Sequence, residues 1–187
     1  MLVPSLDDLR TFYGFIFVRR GPYANGIFKF QLQVPPAYND KNTWPQITFT
    51  TFVYNPCVDP VTWELDVKSA FPVWNPHKHY LVTILTYLKK IFYSKDFTST
   101  IVRNQEAKEL AIHNPELYRK KIGQCVLQSQ ETMFENLEGS TAVIKEDQPV
   151  YATFRSLLKA NVEDPASVSR KVILDLVAEA TANTTTS

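Results

Sequence analysis

The chain has 187 residues, 44% of them hydrophobic and 13% aromatic, which is typical of one globular domain with some additional tail. Its 20 Lys and Arg residues nearly balance 19 Asp and Glu residues, and this net charge of +1 disfavours nucleic-acid binding. The longest apolar run, residues 15–18, and the absence of a signal-peptide pattern at the amino terminus predict a cytoplasmic or nuclear protein without membrane insertion.

Three strands are predicted in the first third of the chain. Residues 12–20 are apolar on both alternating sets, whereas residues 27–34 alternate apolar and polar side chains, so that the second strand should have one buried and one solvated face. The pair Asn25-Gly26 readily reverses the chain and predicts a hairpin between them. A third strand over residues 46–53 would complete an antiparallel meander.

Helices are predicted after residue 80. Residues 55–76 contain four prolines and no sustained period, which indicates an ordered loop. A strong apolar stripe at helical spacing then runs from Tyr80 to Phe92 and predicts a central helix packed on the sheet. Asn104 and Asn114 are good N-caps, so two further helices are expected at about 104–113 and 115–137.

The last quarter of the chain, residues 138–181, is predicted to be an extension with a helix near 165–181, followed by a disordered tail over residues 182–187. The apolar face of that helix, with Val168, Val172 and Leu176, must be covered. It could fold back on its own domain, or it could bind in the groove of a partner or against a coiled coil.

A series of motifs over residues 3–137 resembles ubiquitin-conjugating enzymes (E2s). The motifs are Gly21-Pro22 with Gly26 and Phe28, then Pro35-Pro36-Ala37-Tyr38, Pro45-Gln46-Ile47-Thr48-Phe49, Asn104-Gln105-Glu106-Ala107 and Asn114-Pro115-Glu116-Leu117-Tyr118. The resemblance implies the UBC-like α+β fold, an antiparallel β-meander packed on a central helix with C-terminal helices. Catalytic E2s also have a helix before the first strand; residues 6–11 are too few to supply it, so the core at 1–137 is expected to lack it.

Within that family, three segments are similar to the Fused Toes or AKT-interacting protein group of E2 variants. They are Gly14–Gly21, Val58–Pro60 and Glu64–Phe71 with the Pro72-Val73-Trp74 that follows. This resemblance implies an interaction scaffold in a complex with Hook-type coiled-coil adaptors, which are linked to microtubule motors and vesicle transport. It also implies possible contact with a further large subunit and with the AKT kinase, and peripheral membrane association through partners.

The segment that carries catalysis in an E2 is altered. An active E2 has a His-Pro-Asn tripeptide and a cysteine before a Leu-Asp pair, whereas this chain has Asn55, Pro56 and Cys57 at the tripeptide and Glu64 before Leu65-Asp66. A carboxylate forms no exchangeable thioester, and a thiol is a weak hydrogen-bond donor for an oxyanion. The resemblance therefore implies no enzymatic activity, and no residue pattern predicts a metal or cofactor site.

Two alternatives remain open. Cys57 could be a relocated nucleophile, although the sequence around it offers an anionic Asp59 and no nearby Lys or Arg to lower its pKa. The inert domain could instead bind ubiquitin or an active E2, using the polar face of its sheet.

Overall fold

The computed structural model describes residues 1–98, 101–135 and 140, all within the compact unit Met1–Ile144. Four antiparallel strands form one sheet in the order β1-β2-β3-β4. They are β1 (Leu2–Pro4), β2 (Thr11–Phe17), β3 (Ile27–Gln33) and β4 (Gln46–Phe49). Four helices follow, namely α1 (Val67–Ala70), α2 (Leu81–Ile91), α3 (Gln105–His113) and α4 (Pro115–Glu131). The α+β meander fold is confirmed.

The hairpin between β2 and β3 forms as the sequence predicts. Phe12 pairs with Leu32, and Phe17 pairs with Ile27 next to the turn. Asn25 adopts a φ of 68°, the left-handed conformation that Asn tolerates better than most residues, and its N–H donates to Val18 O at 2.7 Å. The turn thus fixes the register of the two long strands.

The core lies between one face of the sheet and α2. The alternating apolar residues of β3 and β4 meet the stripe of α2, and all of the following are almost fully buried: Phe28, Phe30, Leu32, Ile47, Phe49, Ile84, Leu88 and Ile91. Phe92, just past α2, stacks on Phe28 with ring centroids 4.8 Å apart. The predicted central helix is therefore confirmed in place and in the face that it buries.

The C-terminal helices begin at the predicted caps. Asn104 Oδ1 accepts the N–H of Ala107 at 2.9 Å, and Asn114 Oδ1 accepts the N–H of Leu117 at 3.1 Å. The end of α4 was predicted at residue 137, but the helix ends at Glu131. The N–H groups of the next two residues both bond to the carbonyl of Gln130, so the helix ends in a tightened turn.

Lys29 of β3 binds the turn that follows α4. Its Nζ donates to the carbonyl of Thr132 at 2.7 Å and also to the carbonyl of Glu135. The side chain lies on the outer face of the sheet, which the alternating pattern predicted to be solvated, yet Lys29 is only 1% exposed. The turn after α4 therefore covers this part of the outer face, and Ser140 forms an isolated β-bridge with Ser5.

Two further differences concern the ends of the sheet. The short strand β1 was not predicted, and it pairs with β2 through Leu2↔Gly14 and Pro4↔Phe12. The strand β4 ends at Phe49, four residues before the predicted boundary, because the chain then turns into the loop described below. Among helices of the described ranges, none has both the length and the hydropathy that crossing a bilayer requires.

Candidate functional site

The loop between β4 and α1 folds back along the edge of the sheet. Leu65 donates its N–H to Ile47 O and Phe49 donates to Trp63 O, both at 2.9 Å. Within the loop, Val58 pairs with Leu65, and Asp66 N–H donates to the carbonyl of Cys57 at 2.9 Å. The structure therefore brings the tripeptide Asn55-Pro56-Cys57 and the segment beginning at Glu64 side by side.

Asn55 is fully buried and joins three parts of the fold. Its Nδ2 donates to Tyr23 Oη and to the carbonyl of Ile91, both at 3.1 Å. Its Oδ1 accepts the N–H of Cys57 at 2.9 Å. The first residue of the tripeptide thus fastens the loop to the hairpin and to the end of α2, and all of its side-chain polar atoms are engaged in structural bonds.

Cys57 is buried beside α2, with 4% of its surface exposed. Burial raises the pKa of its thiol, the carboxylate of Asp66 adds to that increase, and a hydrogen bond with Tyr87 opposes it. An attacking thiol needs a lowered pKa and access to its substrate. The Cys57 thiol has instead a raised pKa and little exposed surface.

Glu64 occupies the position before Leu65-Asp66. Its backbone is held by the bridge to Thr48 and by the bond from Asp59 N–H to its carbonyl at 2.9 Å. Trp63, which precedes it, is partly exposed and has a φ of 59°. The half-buried carboxylate of Glu64 has no hydrogen-bond partner among the described residues and faces a neighbouring cavity.

This cavity, which we call the acidic cavity, has a volume of about 290 Å³. Its charged lining residues are Asp59, Glu64, Asp66, Lys68 and Arg103, and its other walls are Trp44, Pro45, Gln46, Leu65 and Val67. Asp66 caps α1, since its Oδ1 accepts the N–H of Ser69 at 3.1 Å. Its Oδ2 lies 3.7 Å from Arg103 Nε.

Part of this arrangement was missed from the sequence. Residues 55–76 were expected to be an ordered loop without a helix, but a short helix begins at Val67. Asp66 followed three residues later by Ser69 could have indicated a cap. Arg103, which the chain brings from the segment before α3, contributes the guanidinium that lines the acidic cavity in the described part of the chain. No local pattern could have placed it there.

The remaining site residues predicted from the sequence belong to the C-terminal extension. Val168, Val172 and Leu176 lie outside the described residues. His79 accepts the N–H of Asn75 through Nδ1 and packs against Phe71 and Trp74, so this histidine has a structural role. Across residues 1–98, 101–135 and 140, no group of three or more His, Cys, Asp or Glu residues is arranged to hold a metal ion.

Comparison with known proteins shows two levels of similarity. Residues 2–126 match the family model described as ubiquitin-conjugating enzyme. A solved structure from Plasmodium yoelii, described as a candidate ubiquitin conjugating enzyme, superposes with a TM-score of 0.55 at 19% identity, over 67% of this chain and 79% of that one. At that identity the superposition shows the fold alone.

The chain has higher sequence identity to curated proteins whose names refer to an interaction. "AKT-interacting protein" of Xenopus tropicalis is 35% identical over 143 residues, which is 75% of this chain and 48% of that protein. "Protein AKTIP homolog" of Nematostella vectensis is 35% identical over 125 residues, which is 67% of this chain and 41% of that protein. The chain therefore spans less than half the length of these curated relatives.

Proposed function

The chain belongs to the ubiquitin-conjugating enzyme family, within the AKT-interacting protein or Fused Toes group of E2 variants, and from that premise we propose that it is a non-catalytic interaction scaffold. One observation carries the proposal. Both cysteines of the chain, Cys57 and Cys125, are buried, and the position at which an E2 presents its acceptor thiol is Glu64. Cys125 is fully buried and Cys57 is only 4% exposed, so neither thiol is presented as an E2 acceptor is.

The chemistry of the first half-reaction supports this conclusion. Ubiquitin transfer requires a thiolate that attacks an activated carboxyl and then releases it. Burial raises the pKa of Cys125 to about 11 and also raises that of Cys57, so both thiols are protonated near neutral pH. The Glu64 carboxylate cannot replace them, because it forms no exchangeable thioester.

The second half-reaction lacks its stabilising group as well. In an active E2, an asparagine amide at the third tripeptide position stabilises the oxyanion formed when a lysine attacks. Here that position is Cys57, whose thiol is buried and is a weak donor. The negative charge of Glu64 at the site would also oppose an oxyanion.

The partners follow from the group and are part of the proposal. The relatives are named as AKT-interacting proteins, which makes the AKT kinase one partner to test. A Hook-type coiled-coil adaptor with its associated subunits, in a complex linked to vesicle transport in the cytoplasm, is the partner that the group resemblance implies. The apolar positions Val168, Val172 and Leu176 are the proposed contact with the coiled coil.

Ubiquitin binding is the second candidate, and the polar outer face of the sheet is the surface that would serve it. The turn after α4 covers this face at Lys29, which leaves Gln31 half-buried and Gln33 exposed on the same strand. The open part of the face thus consists of Gln31 and Gln33 together with two β2 residues, Tyr13, which is half-buried, and Phe17, which is exposed, and this is a small platform for a protein partner.

A binding experiment separates the two candidates. The purified chain is immobilised and offered a purified Hook-type coiled coil, ubiquitin and an active E2 in parallel, and we expect retention of the coiled coil alone. The double variant Val172→Asp with Leu176→Asp should lose that binding. The matched control is Leu9→Asp with Val61→Asp, two side chains that are 82% and 85% exposed, and it should retain it. Retention of ubiquitin instead of the coiled coil would contradict the scaffold proposal.

A further inference from the structure

The acidic cavity contains more negative than positive charge, with three carboxylates against two cations. Neither cation makes a hydrogen bond to those carboxylates. Lys68 Nζ lies over the ring of Trp44, 5.6 Å from its centroid. Arg103 Nε is 3.7 Å from Asp66 Oδ2, which is beyond hydrogen-bonding distance. Because three carboxylates face two cations, one negative charge of the cavity has no compensating cation among its lining residues.

Asp66 is the most constrained of the three acids. Its side chain is only 3% exposed, and its Oδ1 is used by the N–H of Ser69. Its Oδ2 is buried and has no hydrogen-bond partner in the described part of the chain. A buried carboxylate oxygen without a donor is costly to the folded state, so a donor supplied at this point from outside would be stabilising.

The other two acids surround the same space. Asp59 Oδ1 accepts the N–H groups of Val61 and Thr62, both at 2.9 Å, and these bonds hold the pKa of Asp59 below its usual value. Its carboxylate is consequently fixed in position and ionised. Glu64 contributes a carboxylate without a hydrogen-bond partner among the described residues. The cavity thus presents carboxylate acceptors to which its own two cations donate no hydrogen bond.

We propose that the acidic cavity binds the guanidinium group of an arginine side chain presented by a protein partner. A guanidinium has five N–H donors in a planar fork, which suits a buried, unpartnered carboxylate oxygen in a cavity that two further acids line. It is also more weakly hydrated than an ammonium and stacks on aromatic surfaces such as the Trp44 wall. This inference rests on the proposed scaffold function and specifies the chemistry of one contact.

Arg103 occupies the approach to Asp66 and competes with the incoming group. Its side chain is 56% exposed, and the long contact with Asp66 is its only ion pair within the described ranges. The side chain can therefore move into solvent at little cost. The partner's guanidinium takes its place and makes the shorter bonds that Arg103 does not make.

The test titrates the full chain with a small probe, Nα-acetyl-L-arginine amide. Binding is measured by NMR from the chemical shifts of the backbone amides of residues 64–68. Asp66→Asn keeps an oxygen that can cap α1 but loses the charge, and it should weaken binding by about tenfold or more. Arg103→Gln should strengthen binding, because it removes both a competitor and a like charge. Glu109→Gln, an exposed acid on α3, is the matched control and should leave the affinity unchanged.

Three results would overturn the proposal. They are the absence of saturable shifts at residues 64–68, equal affinity in Asp66→Asn, and equal affinity for Nα-acetyl-L-lysine amide, which would indicate attraction of any cation. The titration contains no E1, ubiquitin or coiled coil, so its failure would leave the lack of an acceptor thiol untouched. Conversely, failure of the coiled-coil experiment would leave the measured arginine affinity standing.

Discussion

Replacing Asn55 with alanine is expected to lower the free energy of unfolding by about 3 kcal/mol or more, because the substitution leaves two buried backbone groups without partners and weakens the bonding of a third group. The two backbone groups are the carbonyl of Ile91 and the N–H of Cys57, and the third group is Tyr23 Oη. Tyr23 Oη keeps its bond to the carbonyl of Tyr54, so the largest losses should fall on Ile91 and Cys57. Chemical denaturation followed by circular dichroism measures the change.

Gln124→Ala serves as the control for this prediction. Gln124 is an exposed amide on α4, and its loss should change stability by no more than about 0.5 kcal/mol. If Asn55→Ala were as mild as Gln124→Ala, the buried hydrogen bonds of Asn55 would not be what holds the tripeptide loop against the hairpin and α2.

Lys29→Met is the second large expected effect. The methionine preserves most of the aliphatic stem, but the carbonyls of Thr132 and Glu135 lose a charged donor, which should cost about 2 kcal/mol. Amide hydrogen exchange should also become faster in residues 132–135 than in the middle of α4, since Lys29 fixes that turn on the sheet.

The matched control is Lys120→Met, which removes an exposed ammonium from α4 and should have little effect on either measurement. Burial lowers the pKa of Lys29, although the nearby Glu135 carboxylate partly opposes this shift, so the buried charge itself has a cost. A Lys29→Met variant that is as stable as the parent and shows unchanged amide exchange in residues 132–135 would contradict the anchoring role.

The parts of the fold that rest on local pattern were predictable. The alternation in β3, the turn at Asn25, the apolar stripe of α2 and the caps Asn104 and Asn114 each appear in the structure where the sequence places them. These signals depend on residues within a few positions of one another, and packing in this chain reinforces them. The family resemblance then supplied the topology that local patterns leave open.

The parts that depend on distant contacts were not predictable. Lys29 was interpreted as solvated because it alternates with core residues, and only the turn after α4 buries it. The strand β1 has three residues and forms because β2 offers it an edge. Arg103 reaches Asp66 across the fold, so no motif around either residue could reveal the acidic cavity.

The tripeptide shows how an E2-like segment can be held in place by residues that depart from the catalytic pattern. Its residues were identified from the sequence as departures from the catalytic pattern, and the structure gives two of them packing roles. Asn55 binds three parts of the fold, and Cys57 fills the space beside Tyr87. Under the proposed scaffold function, these packing roles would be what maintains the segment.

The central claim, that the chain carries no acceptor for ubiquitin, is tested most directly by incubating the purified protein with E1, ATP and ubiquitin. A catalytic E2 in the same reaction serves as the positive control, and Cys57→Ser and Glu64→Cys variants are run beside the parent chain. The account predicts no reductant-sensitive adduct on the parent, because its two thiols are buried and Glu64 stands at the acceptor position. A reductant-sensitive ubiquitin adduct on the parent that disappears in Cys57→Ser would contradict it and identify Cys57 as a relocated nucleophile.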